Sequence, residues 1–321
     1  MELLSACFTG SLDSVSTLLF HSSQTQTYIN VNIQDFYGRT PFYLACQNGF
    51  VEIVKLLLRT EGVDVKKPSF NGETPFYVAC YKRQIEVVKL LLKDERIDIN
   101  REDNNYGRTP LCIACSQGDV ELVKLLLNEE WIDVGKPSHD GSTPFKIACW
   151  NNHPKVVELL LNDGRIDVNS ILFTETPFAH ACRNGHIEIV KLLLNHEGVD
   201  VSKKVGIYDP TPIQTACHLG EIEIIEFILA SGKEVNLTEK DYEGKSALDI
   251  ARERISKEKE YWENESIFIQ VKENCKVIVP LLESFLQNPT LIRTQLRARL
   301  GFSGKSSSLI LILIFDLKLF Y

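Results

Sequence analysis

The dipeptide Thr-Pro recurs at a nearly constant spacing, and this repetition constrains the fold more than any other feature of the sequence. It stands at six positions: 40–41, 74–75, 109–110, 143–144, 176–177 and 211–212. The steps between them are 34, 35, 34, 33 and 35 residues. A period of this length is typical of chains built from stacked copies of one supersecondary unit. The sequence therefore predicts a repeat protein, in which each unit contacts only its neighbours.

Each unit has the pattern of two short helices. Thr40 is predicted to cap the first helix and Pro41 to occupy its first position. Gly49 is predicted to end that helix in a left-handed conformation, and residues 51–58 form the second helix. Every Thr-Pro is followed by a small Ala-Cys pair that lets neighbouring helices approach closely, at 45–46, 79–80, 114–115, 148–149, 181–182 and 216–217.

Two repeats depart from this pattern between their helices. Arg83 and Asn152 stand where the other units have glycine. Asn tolerates a positive φ fairly well, whereas Arg adopts it at a higher energetic cost. We expect the stack to be locally weaker at these positions.

The complete frame is D-x-x-G-x-T-P-(F/L)-x-x-A-C-x-x-G-x-x-E-I-V-K-L-L-L-x-x-x-x-V-D-V. It resembles the ankyrin repeat, with Cys where that family usually has a second Ala, and the match is strong from residue 35 to about 240. The resemblance implies an all-α solenoid of about eight helix-turn-helix repeats joined by short β-hairpin-like loops. It also implies a protein-binding function, although members of the family bind very diverse partners.

The repeat pattern predicts an ankyrin-repeat domain over residues 1–288, in which terminal repeats are atypical because one of their faces meets water. A charged insertion at 256–273 is predicted to separate the helices of the last repeat. A short capping helix is predicted at 289–303. Residues 304–321 are predicted to be a disordered tail or a gene-model artefact. The repeats are assigned to residues 1–34, 35–68, 69–103, 104–137, 138–170, 171–205, 206–240 and 241–288.

Composition excludes several classes of protein. The chain of 321 residues has a net charge of −8, whereas a general nucleic-acid binder would be basic. Its beginning, MELLSACFTGSLDS, has neither the basic start nor the apolar stretch of a secretory signal. No apolar run approaches the roughly 20 residues that span a bilayer. We therefore expect a monomeric cytoplasmic protein, with the nucleus as an alternative location.

No set of residues predicts catalysis or cofactor binding. Cys112 and Cys115 form a C-x-x-C, but the second pair that a zinc site requires is missing. The His residues are scattered without metal-ligand spacing. Seven cysteines occupy the same position of consecutive repeats, about 10 Å apart and thus too far for disulfides, and are interpreted as small buried residues. These cysteines are 7, 46, 80, 115, 149, 182 and 217. We predict a protein that is not an enzyme and has no cofactor or metal.

Asn100 and Asn169 stand in the context D-(I/V)-N near the end of their repeats. This context resembles the family's Asn-hydroxylation site. A loop-stabilising role is the favoured interpretation of both residues, and hydroxylation is the alternative.

The resemblance also implies a binding surface, because partners of the family commonly meet the hairpin tips and the exposed side of the first helices. Almost every repeat places an aromatic residue or His there, and such side chains are frequent interface anchors. The alternative is that each ring packs on its own neighbouring hairpin. The candidate partner-binding residues are Phe36, Tyr37, Arg39, Phe70, Tyr81, Tyr106, Arg108, His139, Trp150, Phe173, Arg183, Tyr208 and Tyr242.

The primary hypothesis is a non-enzymatic scaffold that binds a protein or peptide through its hairpin tips and concave face. One alternative is an adaptor subunit of a ubiquitin-ligase or signalling complex. A second is a membrane-associated scaffold that uses the C-terminus, where Arg293, Arg297, Arg299 and Lys305 precede the apolar run 309–315.

Overall fold

A computed structural model describes residues 1–25, 29–171, 175–203, 210–259 and 264–302. The chain divides into two compact units, Met1–Ile166 and Asp167–Tyr321. We call them unit 1 and unit 2. The described residues form seventeen α-helices, which confirms the predicted all-helical repeat architecture.

Unit 1 consists of five consecutive helix pairs. In each pair a first helix precedes a second by two or three residues, and first helices pack against first helices of the next pair. The helices are α1 (Glu2–Thr9), α2 (Leu12–Thr25), α3 (Pro41–Asn48), α4 (Val51–Arg59), α5 (Pro75–Tyr81), α6 (Ile85–Leu91), α7 (Pro110–Gln117), α8 (Val120–Leu127), α9 (Pro144–Trp150) and α10 (Pro154–Asp163).

Unit 2 continues the pattern and ends in longer helices. These are α11 (Pro177–Arg183), α12 (Ile187–Asn195), α13 (Pro212–Leu219), α14 (Ile222–Ala230), α15 (Ala247–Ser256), α16 (Glu265–Gln287) and α17 (Pro289–Arg299). Helix α16 begins at Glu265, so the end of the stretch predicted as an insertion, 265–273, is helical. The reason is local, since Asn264 caps α16 through bonds from the N–H groups of Ser266 and Ile267. Residues 303–321, which include the predicted tail, lie outside the described part of the chain.

The Thr-Pro pairs begin the first helices as the sequence predicts. The hydroxyl of Thr40 accepts a 3.1 Å bond from the backbone N–H of Tyr43, and Pro41 fills the first helical position. The same bond occurs at the other five Thr-Pro pairs, and Ser246 makes it at α15. Each cap satisfies a backbone donor that the first turn cannot satisfy itself.

The Ala-Cys pairs lie in the core of each unit. All nine cysteines are buried free thiols, which confirms their interpretation as packing residues. The four Phe residues that follow Thr-Pro, at positions 42, 76, 145 and 178, are almost completely buried beside them. Small and large side chains thus alternate along the line of first helices.

Successive hairpins of unit 1 are joined by backbone hydrogen bonds. The N–H of Phe70 donates to the carbonyl oxygen of Tyr37 at 3.0 Å, and that of His139 donates to Tyr106 at 2.8 Å. Asn104 makes the equivalent bond to Asn71 at 2.9 Å. These bonds bring the backbones so close that the turn between them has no room for a side chain.

Gly38 shows this constraint directly. Its φ is +78°, and a Cβ atom there would lie 2.6 Å from the Phe70 ring and 2.8 Å from the Phe70 backbone nitrogen. Gly62 has a nearly identical φ of +80°, but no atom within 4 Å of a Cβ. Gly38 is therefore required for two reasons, conformation and space, and Gly62 for conformation alone.

Arg83 and Asn152 adopt the left-handed conformation that glycine adopts elsewhere, with φ of 57° and 56°. Arg83 also donates from Nε to Asp119 at 2.6 Å, and Asp119 caps α8 through the N–H of Leu122. The Arg side chain thus contributes an ion pair to a buried carboxylate, which offsets part of the backbone cost.

We expect Gly38→Ala to lower the free energy of unfolding by about 2 kcal/mol or more, because backbone strain and a steric clash add. The matched control Gly62→Ala should cost about 1 kcal/mol, from strain alone. Urea unfolding followed by circular dichroism measures both values. Equal losses in the two variants would contradict the close approach of the hairpins.

We also expect the nine thiols to resist labelling by Ellman's reagent in the native protein at pH 8. Burial raises the pKa of the Cys7 thiol to about 12, and it raises the pKa of Cys46 and Cys115 as well. The reactive thiolate is therefore scarce and shielded until the chain opens. All nine should react in concentrated guanidinium, whereas prompt labelling of the native protein would contradict the burial of these thiols.

Candidate protein-binding face

Six exposed aromatic side chains of unit 1 lie on its hairpins or at the ends of its first helices. We call this surface the hairpin face and define it by residues 35–39, 69–73, 81–82, 103–108, 139–140 and 150. Phe36 is 89% exposed and Phe70 is 69% exposed, values that are unusual for phenylalanine. Tyr37, Tyr81, Tyr106 and Trp150 also reach solvent. The structure thus exposes each aromatic candidate residue of this unit.

Two of the predicted residues also hold neighbouring hairpins together. The ring of Phe70 covers Gly38, and the ring of His139 covers Gly107 in the same manner. These rings therefore serve the stack, as the alternative interpretation proposed. Phe36, in contrast, is 89% exposed and meets the Tyr37 ring in an edge-to-face arrangement, with 5.6 Å between the ring centroids.

Three cations of the hairpin face lie over tyrosine rings. The guanidinium of Arg39 lies 4.8 Å from the Tyr37 ring centroid, and that of Arg108 lies 5.2 Å from Tyr106. The Lys82 ammonium lies 5.0 Å from the centroid of the preceding Tyr81. Such pairs hold long side chains in place at modest energetic gain, so each cation is presented in a defined position.

The carboxylates of the same face are bound within the chain. Asp35 pairs with Arg39 at 2.7 Å. Burial alone would raise the pKa of Asp35, but the bonds from Arg39 and from backbone N–H groups outweigh burial, so the pKa is lowered. Glu73 accepts the Tyr43 hydroxyl at 2.8 Å. Asp140 accepts the Ser138 hydroxyl at 2.7 Å, and this bond is the main cause that lowers its pKa.

Asp103 is the most enclosed of these carboxylates. It accepts the Tyr77 hydroxyl at 3.0 Å and backbone N–H groups of Asn105, Tyr106 and Arg108 at 2.7–3.0 Å. Burial is the main cause that raises the pKa of Tyr77, so this hydroxyl remains a donor. Sequence reasoning missed Tyr43 and Tyr77, because their partners lie 30 and 26 residues away.

Unit 2 places two further candidate residues in one groove. Arg183 and Tyr242 line it with His218, Lys245 and Lys257. Arg183 forms an ion pair with the buried Glu175, which also contacts the ring of His180 at 3.3 Å. Phe173 and Tyr208, the remaining candidates, lie outside the described residues.

Asn100 and Asn169 join consecutive repeats, each within its own unit. The Asn100 amide donates to the Trp131 carbonyl at 2.7 Å and accepts from the N–H of Asp133 at 2.9 Å. Asn169 makes the same two bonds, to Gly198 at 2.7 Å and from Asp200 at 2.9 Å. This bonding favours the loop-stabilising interpretation, while hydroxylation stays an untested alternative.

The described residues contain no cluster of three or more His, Cys, Asp or Glu side chains that could hold a metal ion. Among the helices of the described ranges, none is both long and apolar enough to cross a membrane. What the described surface offers is a row of exposed aromatic and cationic side chains on a regular backbone.

Stacked helix pairs joined by hairpins define a repeat protein. Exposed aromatic and cationic side chains on its hairpins are typical of repeat proteins that bind other proteins. The family of ankyrin repeats matches in three segments, residues 3–103, 95–171 and 166–239. These segments cover well over half of the chain, so the protein belongs to the ankyrin-repeat family. Ankyrin repeats are a protein-interaction fold that is typically non-enzymatic.

Solved structures support the same assignment. The ankyrin repeat domain of Bcl-3, described as a unique member of the IkappaB protein family, is 25% identical with a TM-score of 0.63. The match covers 71% of this chain and 97% of the Bcl-3 domain. Among curated proteins, no significant match is found.

Proposed function

We propose that this protein is a non-enzymatic interaction scaffold that binds a protein or peptide through its hairpin tips and concave face. The observation that carries the proposal is the exposure of Phe36, Tyr37 and Tyr106 on the hairpin face. Exposed apolar surface that is contiguous marks interaction sites on folded proteins, and aromatic side chains are frequent anchors of interfaces.

The geometry of the hairpins supports this proposal. The backbone bonds between Phe70 and Tyr37, and between His139 and Tyr106, fix the relative positions of consecutive tips. A rigid surface loses little conformational entropy on binding, so its contacts contribute more fully to affinity. The second helices offer less, because their exposed Glu and Lys residues pair with each other, as Glu52 does with Lys55 at 2.7 Å.

The roles of adaptor subunit and membrane-associated scaffold stay predictions from the sequence. An adaptor subunit would need another docking surface. A membrane-associated scaffold depends on the C-terminal run 309–315, which lies outside the described residues.

We expect the triple variant Phe36→Ser/Tyr106→Ser/Trp150→Ser to lose bound partners at least tenfold, since truncated anchor residues are the ones that dominate interfaces. The full chain, immobilised and exposed to lysate, is compared with this variant by quantitative mass spectrometry. All three side chains reach solvent, so the fold should survive, and circular dichroism verifies this.

The matched control is Trp131→Ser. Trp131 is 79% exposed and follows α8, where its carbonyl accepts the Asn100 amide, and it is not among the residues that define the hairpin face. Its variant should retain every partner. Identical partner sets for the triple variant and the wild type would contradict the proposed binding face.

A further inference from the structure

We propose that the hairpin face of unit 1 contains two copies of one aromatic subsite, which together bind an uncharged, proline-rich peptide in the polyproline II conformation. This inference rests on the proposed function, because it names the class of partner for the same surface. Three observations carry it: the duplication of the exposed rings, the engagement of the hairpin backbone inside the chain, and the balanced charge of the face.

The first half of each subsite is a hairpin tip that occurs twice. The sequence Tyr-Gly-Arg-Thr-Pro stands at 37–41 and again at 106–110, which is 69 residues, or two repeats, later. Tyr37 is 62% exposed and Tyr106 is 64% exposed. In both copies the guanidinium of the arginine lies over the tyrosine ring, 4.8 Å and 5.2 Å from its centroid. The two tips thus present the same ring in the same setting.

The second half of each subsite is an aromatic residue that ends a first helix. Tyr81 is the last residue of α5 and Trp150 is the last residue of α9, again 69 residues apart, and each is about half exposed. We call the pair Tyr37 and Tyr81 the first subsite. Its copy two repeats later, Tyr106 and Trp150, is the second subsite.

Apolar surface lies beside the rings in both copies. The first subsite borders a groove of about 250 Å³, whose lining includes both of its rings and the side chain of Val78. Pockets for small molecules begin at roughly 300 Å³, so this groove fits a single side chain of a peptide. The position that corresponds to Val78 beside the second subsite holds Ile147, which is also buried.

The backbone of the tips offers no edge to which a strand could be added. The N–H groups of Phe70 and His139 donate to the carbonyl oxygens of the preceding tips. Those of Tyr37 and Arg39 donate to the carboxylate of Asp35, and the second copy has the same arrangement. A peptide bound by backbone pairing would need these donors, whereas a proline-rich segment docks on aromatic rings without them.

The charge of the hairpin face is nearly balanced. Its carboxylates are Asp35, Glu73, Asp103 and Asp140, and its cations are Arg39, Lys82 and Arg108. A surface without an excess of either sign favours neither acidic nor basic segments. The complementary peptide therefore carries no net charge.

The spacing of the repeats matches a polyproline II helix better than a β-strand. Such a helix has about three residues per turn and rises about 3.1 Å per residue, so one of its faces recurs about every 9 Å. Consecutive repeats pack about 8–10 Å apart, so the same face meets each tip and the two subsites lie about two turns apart. A β-strand covers the distance of one repeat in about three residues and then presents its opposite face.

The test measures binding of synthetic peptides to the full chain by fluorescence anisotropy with a neutral dye. The probe consists of Pro and Ser with two Leu anchors that are two turns, or about six residues, apart. A one-anchor peptide has Ser for one Leu, and an Ala peptide has Ala for every Pro. We expect the probe to bind at least about tenfold more tightly than the one-anchor peptide. The Ala peptide should bind about threefold or more weakly than the probe, because it loses more conformational freedom.

Variants separate the two subsites. Tyr37→Ser/Tyr81→Ser should weaken the two-anchor probe about tenfold, because only the second subsite remains. Tyr106→Ser/Trp150→Ser should have the same effect through loss of the other copy. For the one-anchor peptide either variant should cost only about twofold, because one of two equivalent sites is removed. A general loss of structure would not produce this difference. The control variant Trp131→Ser should leave both affinities unchanged.

Several results would overturn the inference. One is absence of saturable binding of the probe, or equal losses of the one-anchor and two-anchor peptides in each subsite variant. Another is equal affinity of the Ala peptide and the probe. Tighter binding of a probe with Glu or Lys in place of Ser would assign the face to a charged partner. Self-association in sedimentation equilibrium that disappears in the subsite variants would assign the rings to a second copy of the chain.

Failure of this inference is distinguishable from failure of the proposed function. If capture of lysate partners still depends on Phe36, Tyr106 and Trp150, the scaffold function stands and only the proline-rich partner class fails.

Discussion

The backbone hydrogen bond between consecutive hairpins is the contact on which the rest of unit 1 depends. It fixes the distance between Tyr37 and Phe70, and its equivalents repeat along the unit. The bond requires a glycine with positive φ at the turn, because the next hairpin occupies the space of a side chain. Once the hairpins are in register, each Thr-Pro pair begins its first helix at the equivalent position of the repeat. The buried Ala-Cys pairs can then pack against each other.

This regular scaffold separates structural from exposed side chains. The rings of Phe70 and His139 have one side on a neighbouring glycine, whereas Phe36 and Tyr106 project from the turns. The carboxylates of the hairpin face are likewise bonded within the chain, since Asp35 pairs with Arg39 and Glu73 accepts the Tyr43 hydroxyl of the preceding repeat.

Much of this architecture could be predicted from the sequence. The spacing of Thr-Pro predicted the length of each repeat, and the small residues at 45–46 and the equivalent positions indicated the buried side of each first helix. Exposed positions followed as well, because residues between a turn aspartate and its glycine, such as Phe36 and Tyr37, have nowhere to be buried. These features are local, and a periodic pattern reports local features well.

The remaining features depend on contacts between distant residues. Nothing in the pattern indicated that Tyr43 would bond Glu73, or that Tyr77 would bond Asp103, because each pair joins residues about one repeat apart. The start of α16 at Glu265 was missed because charged residues there resembled an insertion, although Asn264 provides a cap. The pairing of Arg83 with Asp119 likewise became visible only in three dimensions.

Site-specific photo-crosslinking tests the central claim, that the hairpin face is the surface that partners meet. A benzophenone amino acid is placed at Tyr106 in one sample of the full chain and at Trp131 in another. Both side chains are well exposed, but only Tyr106 lies on the hairpin face. The account predicts partner adducts from position 106 and none from position 131. Adducts from position 131 alone would contradict it and would place binding at the turn that follows α8.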